Sequence, residues 1–524
     1  MAGVVALVGA VSAWLFNRGD PVTWPGWRIA AMVLVAVLWG LWSFSRKAAE
    51  TSKAQRWIHR LAALALCLWS GMALGGSLGW SAEQLLSHGR VAPWTFFHYY
   101  LGAKYFPELG YEDLYTQALA ADAEGSRKWV GQVAVTRNLG SYRVEPLRPE
   151  QLERSGNWSD ERWREFTADL HLMQPWMRIS DWRRLFVDRG YNATPTWTAI
   201  GRVLGLIRPD RLGRTLLGGL DLLLLLLAFG AVARSFGLVP ALVSAGWLAI
   251  FYGNEHHLVG RLFIHDYLVA LLFAVCAVKR ARPATAGVLV AYATAVRVFP
   301  VFMAVGIGVW AVSRWWRRRQ LPWFGKRFVM GFSLAALFWV GLGAIGGGGL
   351  DAWSQSVDNL KLHGQEHRFG DRRLGLAHVF THELGAESWE TKSERRVVWE
   401  AQWPIYSLAV VLMLGLWLFA LFRASDDDPL EAMLHGLAGA FILVVLSRYY
   451  GSIFCLLFLW GLGRRTPAIL QVALLGQVAL FYALAWGETN DYAWYWMANG
   501  LWAIWWLVAL WIRAGLWPWE EARS

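Results

Sequence analysis

Long apolar stretches recur along almost the whole chain, and they restrict its fold more than any other feature. A helix needs about 20 mainly apolar residues to cross roughly 30 Å of hydrocarbon. Several runs here reach that length and others approach it, which predicts an all-α polytopic membrane protein with about 12–14 transmembrane helices. The runs that we assign as spans are 1–16, 28–45, 57–80, 213–235, 238–252, 262–279, 284–298, 300–316, 327–347, 403–424, 430–447, 450–463, 466–487 and 491–514.

The composition agrees with this fold class. Of the 524 residues, 56% are hydrophobic and 17% are charged, whereas a soluble protein is about one quarter charged. Many of the 36 tryptophans lie near the ends of apolar runs, where amphipathic rings settle at the membrane interface. The three cysteines, Cys67, Cys276 and Cys455, fall inside apolar runs, so we expect no disulfide framework.

The basic residues are distributed as in a membrane protein. The net charge is +12, and the basic residues gather in short loops at 46–60, 279–282, 314–327 and 464–465. With the assigned spans these loops share one side, which the positive-inside rule identifies as the cytoplasm, and both termini lie there too. That arrangement requires two spans at 284–298 and 300–316, although one helix bent at Pro300 is an alternative. No nucleic-acid-binding pattern accompanies the charge, so we expect no nucleic-acid partner.

The same topology divides the chain into five parts. Residues 1–80, 213–347 and 403–524 form the transmembrane parts, and 81–212 and 348–402 face the periplasm. The segment 81–212 is too long for a plain connector and carries helix-like stretches. We therefore expect a mostly helical subdomain resting on the membrane.

The beginning of this outward segment, residues 94–124, combines aromatic rings with His98, Lys104, Glu112 and Asp113. Tyrosine and tryptophan are apolar at one end and polar at the other. Such a mixture suits a membrane enzyme that meets a lipid-linked substrate.

Four stretches in this region resemble motifs of the GT-C superfamily of integral-membrane glycosyltransferases, especially the bacterial branch that uses polyprenol-phosphate mannose or similar donors. The first is a tyrosine-rich segment followed by a Gly-x-x-x-Leu-Tyr-like turn. The others are an aromatic and proline segment, a polar cluster at an outer helix end, and a basic-x-x-Pro element. In chain order they are Phe97–Lys104 with Leu109–Tyr115, Gly190–Trp197, Gly260–Leu268 and Ala293–Pro300.

The resemblance implies a GT-C-like helical bundle in the bacterial inner membrane. It implies an inverting hexosyltransferase that moves a sugar from a polyprenyl-phosphate donor to a lipid or glycan acceptor of the cell envelope, on the periplasmic side. It also implies an aspartate before the first-loop tyrosines as general base. This chain has Thr95 near the matching place, and threonine cannot fill that role.

Transfer from a lipid phosphate requires cationic groups that stabilise the departing phosphate. Arg297 lies near the outer end of its span. A charge within a span is energetically costly, so we take it to indicate a functional role. Arg448 occupies a similar outer position, and Lys104 lies in the first outer loop. We name these three as donor phosphate-binding candidates; their alternatives are structural pairing, snorkelling or interface coverage.

The reaction also needs a carboxylate or histidine that accepts the proton of the acceptor hydroxyl. Asp266 is one candidate, and an ion pair with Arg261 or Arg297 is its alternative role. His98, Asp113 and Glu112 are the other candidates, each of which could be a solvated loop residue. Asp188 is equally suited to taking part in the chemistry and to closing a turn.

No cofactor is required by any of these motifs. Asn254–His257, together with His265 and Asp266, could supply ligands for a divalent metal, but their spacing is loose. His363–His367 matches the inverted zinc-protease pattern, in which glycine at the second position weakens the required helix. We expect these two histidines to belong to a polar outer helix that begins near Asp351.

Two other functional classes remain open. A lipid or glycan transporter or flippase would need a continuous polar path through the bundle, for which Asp221 is the modest hint. A catalytically inactive GT-C-like scaffold would fit the threonine at position 95.

Overall fold

The computed structural model describes residues 25–48, 52–125, 127–251, 258–370, 373–382, 392–423, 428–460, 470 and 491–515. These residues are almost entirely helical, with two small antiparallel ribbons, which confirms the all-α part of the predicted fold class. The expected span at 1–16, nearly all of 466–487, and the Asn254–His257 cluster lie outside the described residues.

The α-helices follow the predicted apolar runs closely and add shorter ones between them. In chain order they are α1 Pro25–Ala48, α2 Lys53–His88, α3 Pro93–Thr95, α4 Gly102–Lys104, α5 Phe106–Leu109, α6 Leu114–Glu124, α7 Asp160–Met173, α8 Ile179–Leu185, α9 Pro195–Leu204, α10 Arg211–Phe236, α11 Leu238–Ile250, α12 Asp266–Lys279, α13 Pro283–Arg297, α14 Val301–Arg318, α15 Trp323–Gly346, α16 Asp351–Arg368, α17 Leu376–Val379, α18 Lys392–Arg423, α19 Pro429–Leu443 and α20 Asp491–Arg513.

Other regular elements are short, with one exception. A π-helix, Phe96–Leu101, joins α3 to α4, and 3₁₀-helices cover Pro149–Leu152, Gln174–Trp176 and Arg448–Leu459. The last of these occupies much of the apolar run 450–463 and is unusually long for a 3₁₀-helix. The strands are β1 Val135–Arg137, β2 Val144–Pro146, β3 Arg373–Leu374 and β4 Leu446–Ser447.

Four helical stretches in the described residues are long and apolar enough to cross a membrane: Lys53–Leu78, Arg211–Phe236, Trp323–Gly346 and Lys392–Arg423. Shorter apolar helices include Leu238–Ile250 and Pro429–Leu443. The long helices also expose large apolar side chains such as Leu337 and Val411. An exposed apolar surface of this extent is typical of contact with lipid.

The region 284–316 forms two helices, not one bent helix. Val298 separates α13 from α14 with a φ of 55°, which is uncommon for a β-branched residue. Pro300 lacks a backbone donor and starts the next helix. The two helices then pack against different partners, α13 against α15 and α14 against α19. As a result, Arg297 lies at the very end of α13 beside the turn.

Two contacts fix the loop before α12. Asp221, buried in α10, accepts the backbone N–H groups of Ile264 at 2.9 Å and His265 at 3.1 Å. The Ala92 N–H donates to the carbonyl of Gly260 at 2.7 Å. The loop is therefore held between α10 and the segment that leads into the first outer helix.

The second outward segment is anchored as well. Its polar helix α16 runs from Asp351 to Arg368 and contains His363, as predicted. The following strand β3 pairs with β4, so that Arg373 lies opposite Ser447. This ribbon therefore places Arg373 next to the chain segment that contains Arg448.

Candidate functional site

A cavity of about 290 Å³ lies where residues 81–212 and 348–402, the two segments assigned from the sequence as outward, meet the ends of the apolar helices. Four arginines and one aspartate line it, together with two histidines. These charged and imidazole side chains are His98, Asp188, Arg189, Arg261, Arg297, His363 and Arg373. Because arginine is always charged, the lining carries a clear positive excess and favours an anionic ligand.

Arg297 is the strongest sequence candidate, and it lines this cavity. Its Nη2 lies 4.0 Å from Oδ1 of Asp266, and the side chain of Asp266 is fully buried. Tyr292 donates a hydrogen bond to the other oxygen of Asp266 at 3.0 Å. Asp266 itself does not line the cavity. At this distance it balances the charge of Arg297 without a direct hydrogen bond to it.

Arg261 is the second cation at this end of the cavity. Its Nη1 donates to Oγ1 of Thr95 at 3.1 Å, and its Nε has no hydrogen-bond partner among the described residues. Burial, followed by the neighbouring Arg448 guanidinium, lowers the pKa of Arg261 to about 10. The group stays charged at neutral pH. Two adjacent guanidinium groups in a buried place repel each other, and a bound anion would relieve that repulsion.

Arg448 therefore lies close to the site without being one of its lining residues. Its neighbours along the chain, Ser447 and Tyr449, do line the cavity. The guanidinium acts on Arg261 through its charge.

His98 reaches the cavity from the π-helix. Its Nε2 lies 2.8 Å from the hydroxyl of Tyr115, which also accepts the Gly190 N–H at 3.0 Å. Burial lowers the pKa of His98, against the opposing effects of Asp188 and the Trp94 backbone. The imidazole is consequently neutral at pH 7.

His363, on α16, also lines the cavity. The hydroxyl of Tyr142 lies 3.4 Å from its Nδ1 and 3.0 Å from Oδ1 of Asn359. Burial and the nearby Arg189 and Arg373 guanidinium groups lower the pKa of His363 to about 3. This imidazole is also neutral at pH 7.

Asp188 supplies the one carboxylate in the cavity lining. The Trp94 indole N–H donates to its Oδ2 at 2.6 Å. Trp94 immediately precedes Thr95, where the sequence resemblance implies an aspartate. A carboxylate is therefore present beside this place, but a segment some ninety residues later along the chain provides it.

Three predicted site residues lie away from the cavity. Glu112 and Asp113 are exposed and line a separate hollow of about 390 Å³ against α16. Lys104 is half-buried in ion pairs, 2.7 Å from Asp169 and 2.8 Å from Glu165. None of the three joins the cluster of arginines.

The placement of Lys104 gives a prediction. Lys104→Ala should lower the stability of the outward segment by about 3–5 kcal/mol, because it leaves the buried Asp169 carboxylate with only the Tyr105 hydroxyl at 2.8 Å. Affinity for a lipid phosphate should stay within about twofold of the wild type in the fraction that remains folded. Thermal unfolding in detergent and phospholipid-binding titrations measure the two effects. A large loss of phosphate affinity without loss of stability would contradict this placement.

Sequence reasoning missed Arg189, Arg373 and Tyr449 altogether. Arg261 was predicted only as an ion-pair partner of Asp266, and Asp188 either to close a turn or to take part in the chemistry. The available signal was that Asp188 and Arg189 lie next to the motif-like stretch 190–197, and that Arg261 lies within the stretch 260–268. Arg373 carries no such signal, because only the β3–β4 ribbon brings it to the site.

Among the described residues, no group of three histidine, cysteine or acidic side chains is arranged to hold a metal ion. Comparison of the chain with protein-family models, with curated proteins and with solved structures finds no match. The functional argument therefore depends on the residues of this chain alone.

Proposed function

We propose that this protein is a multi-pass inner-membrane glycosyltransferase of GT-C-like architecture. In this proposal it takes a sugar from a polyprenyl-phosphate donor and transfers it to a lipid or glycan acceptor of the cell envelope. The chemistry takes place on the periplasmic side, and both termini lie in the cytoplasm.

The arginine-rich cavity is the observation that carries the proposal. A phosphodiester donor brings one negative charge, and its departing lipid phosphate brings a second as the sugar leaves. Planar guanidinium groups bind phosphate oxygens in pairs and stabilise charge that develops during bond breaking. Arg261 is held by a hydrogen bond to Thr95, and Arg297 lies beside the buried Asp266 carboxylate, so both cations are in place before the phosphate departs.

The location of the cavity supports a lipid-linked donor. Arg261 and Arg297 come from the ends of apolar segments, where a polyprenyl chain could lie along the exposed apolar surface. Asp188, Arg189 and His363 come from the outward segments, where a polar acceptor would arrive. The two substrates would thus meet in one small space, as a transfer reaction requires.

The transporter alternative has less support from the described residues. Asp221 was the modest sign of a polar path through the bundle. Its two carboxylate oxygens each accept a backbone N–H from the loop before α12. This role is structural and leaves no reason to place a substrate beside it.

A transfer assay tests the proposal. The full-length protein in nanodiscs is mixed with radiolabelled polyprenyl-phosphate mannose and with cell-envelope lipid and glycan fractions. We expect label in one fraction. Arg261→Gln should lower transfer roughly 10–100-fold, since a charge-assisted hydrogen bond contributes about 1.5–3 kcal/mol. Arg184→Gln, at an exposed arginine that does not line the cavity, is the matched control and should leave transfer unchanged.

Two results would count against this function. One is the absence of transfer to every fraction by protein that is folded in the nanodisc. The other is equal loss of transfer in the Arg261 and Arg184 variants, which would indicate a general charge effect instead of a phosphate site.

A further inference from the structure

We propose that Asp188 is the catalytic base of this site, the group that takes the proton from the acceptor hydroxyl. This inference rests on the proposed function. It adds the identity of the proton acceptor, and with it the end of the cavity that receives the acceptor.

The lining of the cavity singles out Asp188. It is the one carboxylate among the lining residues. Its Oδ2 accepts the Trp94 indole N–H at 2.6 Å, and its Oδ1 has no hydrogen-bond partner within the described part of the chain. One oxygen therefore fixes the group, and the other keeps its lone pairs for a hydroxyl that enters the cavity.

His98 is a weaker candidate because its ring is already engaged. Its Nε2 lies 2.8 Å from the Tyr115 hydroxyl, and the Trp94 backbone faces its other side. The Tyr115 hydroxyl in turn accepts the Gly190 N–H, which directs the tyrosine proton towards Nε2. With both nitrogens used in this way, His98 holds the loop at Gly190 in place and has no free lone pair for substrate.

His363 is weaker for an electrostatic reason. On taking a proton it would become an imidazolium beside Arg189 and Arg373, in a cavity that already holds four guanidinium groups. Asp188 would become a neutral acid on taking the same proton and would add no cation. A general base must accept a proton without such a penalty.

The proposal assigns the charged lining residues to different substrates. Arg297, at the end of α13, and Arg261, in the loop before α12, receive the donor phosphate. Asp188 receives the acceptor hydroxyl. A sugar carbon held between them would have the leaving oxygen on one side and the attacking oxygen on the other, as an inverting displacement requires.

The reaction can then be written in one balanced step. The bond between the sugar carbon and the phosphate oxygen breaks, and its electron pair leaves with the polyprenyl phosphate, whose charge changes from one to two negative. The acceptor oxygen forms the new bond to the same carbon, and its proton passes to Asp188, which becomes neutral. The proton later returns to solvent.

The test uses the full-length protein in nanodiscs, radiolabelled polyprenyl-phosphate mannose and the cell-envelope fractions. Asp188→Asn keeps the shape of the side chain and an oxygen for the Trp94 N–H, but it cannot take a proton. We expect transfer to fall roughly 100-fold or more, whereas donor binding stays within about threefold. Added formate, a small external carboxylate, should restore part of the transfer in Asp188→Ala, where the truncated side chain leaves space for it. Asp358→Asn, an exposed carboxylate on α16 paired with Lys361, is the matched control and should behave as the wild type.

The possible outcomes are distinct. If the wild type transfers no sugar, the proposed function fails, and this inference fails with it. If the wild type transfers sugar and Asp188→Asn retains at least a third of that rate, only the assignment of Asp188 is overturned. The same holds if His363→Gln, and not Asp188→Asn, shows the 100-fold loss of transfer. If Asp188→Asn does not bind donor, donor binding and sugar transfer are measured for Asp188→Glu. Recovery of transfer supports the assignment. Recovery of donor binding without transfer also supports it, because the longer side chain displaces the carboxylate. Recovery of neither overturns it in favour of a structural role.

Discussion

Arg297→Gln is expected to lower sugar transfer by roughly 100-fold or more, which is the effect of removing one charge stabiliser at a departing group. Glutamine cannot carry the charge or the two-pronged donor arrangement of the guanidinium. Arg297→Lys should fall between glutamine and the wild type, because lysine keeps the charge and loses the fork. Rates of transfer from labelled polyprenyl-phosphate mannose measure both variants.

A double variant separates phosphate binding from a purely structural ion pair. Arg297→Gln alone leaves the buried Asp266 carboxylate without its cation, which should also lower the thermal midpoint. Adding Asp266→Asn removes that buried charge and keeps an acceptor for Tyr292. We expect the double variant to regain most of the stability and none of the transfer. If activity returned together with stability, Arg297 would have only a structural role.

Gly306→Val is expected to lower the stability by roughly 3 kcal/mol or more, because it overpacks a close helix crossing. A Cβ at Gly306 would overlap the backbone carbonyl of Ala432 on α19. Across the contact, a Cβ at Gly436 would overlap the carbonyl of Phe302 on α14. Neither neighbour is a flexible side chain, so the two helices must separate. Small residues permit such close approach of helices in membranes.

The control lies two residues away on the same helix. Gly308 has no atom within 4 Å of the place where a Cβ would stand. Gly308→Val should therefore change the thermal midpoint in detergent only slightly, by less than about 1 kcal/mol in equivalent stability. Equal losses in the two variants would mean that helix propensity, and not the crossing with α19, explains the effect.

The helical elements were predictable because the signal is local. An apolar run of sufficient length favours a helix wherever it lies, and the runs at 213–235 and 327–347 agree with α10 and α15 to within a few residues. The polar helix carrying His363 was also correctly placed. The break at Val298 was left open, because proline alone does not decide between a bent helix and two helices. The different packing partners of α13 and α14 decided it.

The candidate site was only partly predictable. Arg297 and His98 were named from local features, a charge near a helix end and an aromatic outer loop, and both line the cavity. Lys104, Glu112 and Asp113 share the loop of His98 but lie elsewhere. Local composition does not reveal that the buried Asp169, 65 residues further on, takes Lys104 as its ion-pair partner.

The sequence by itself determined the helical class, the approximate positions of the apolar helices and the presence of cations near their ends, because length, hydropathy and charge are properties of neighbouring residues. Only the tertiary structure decided which charges meet. Arg261, Arg297 and Arg373 line one cavity with Asp188 and Thr95 because of the Asp221 contacts, the turn at Val298 and the β3–β4 ribbon. These contacts join residues distant along the chain, and no spacing within a single segment contains them.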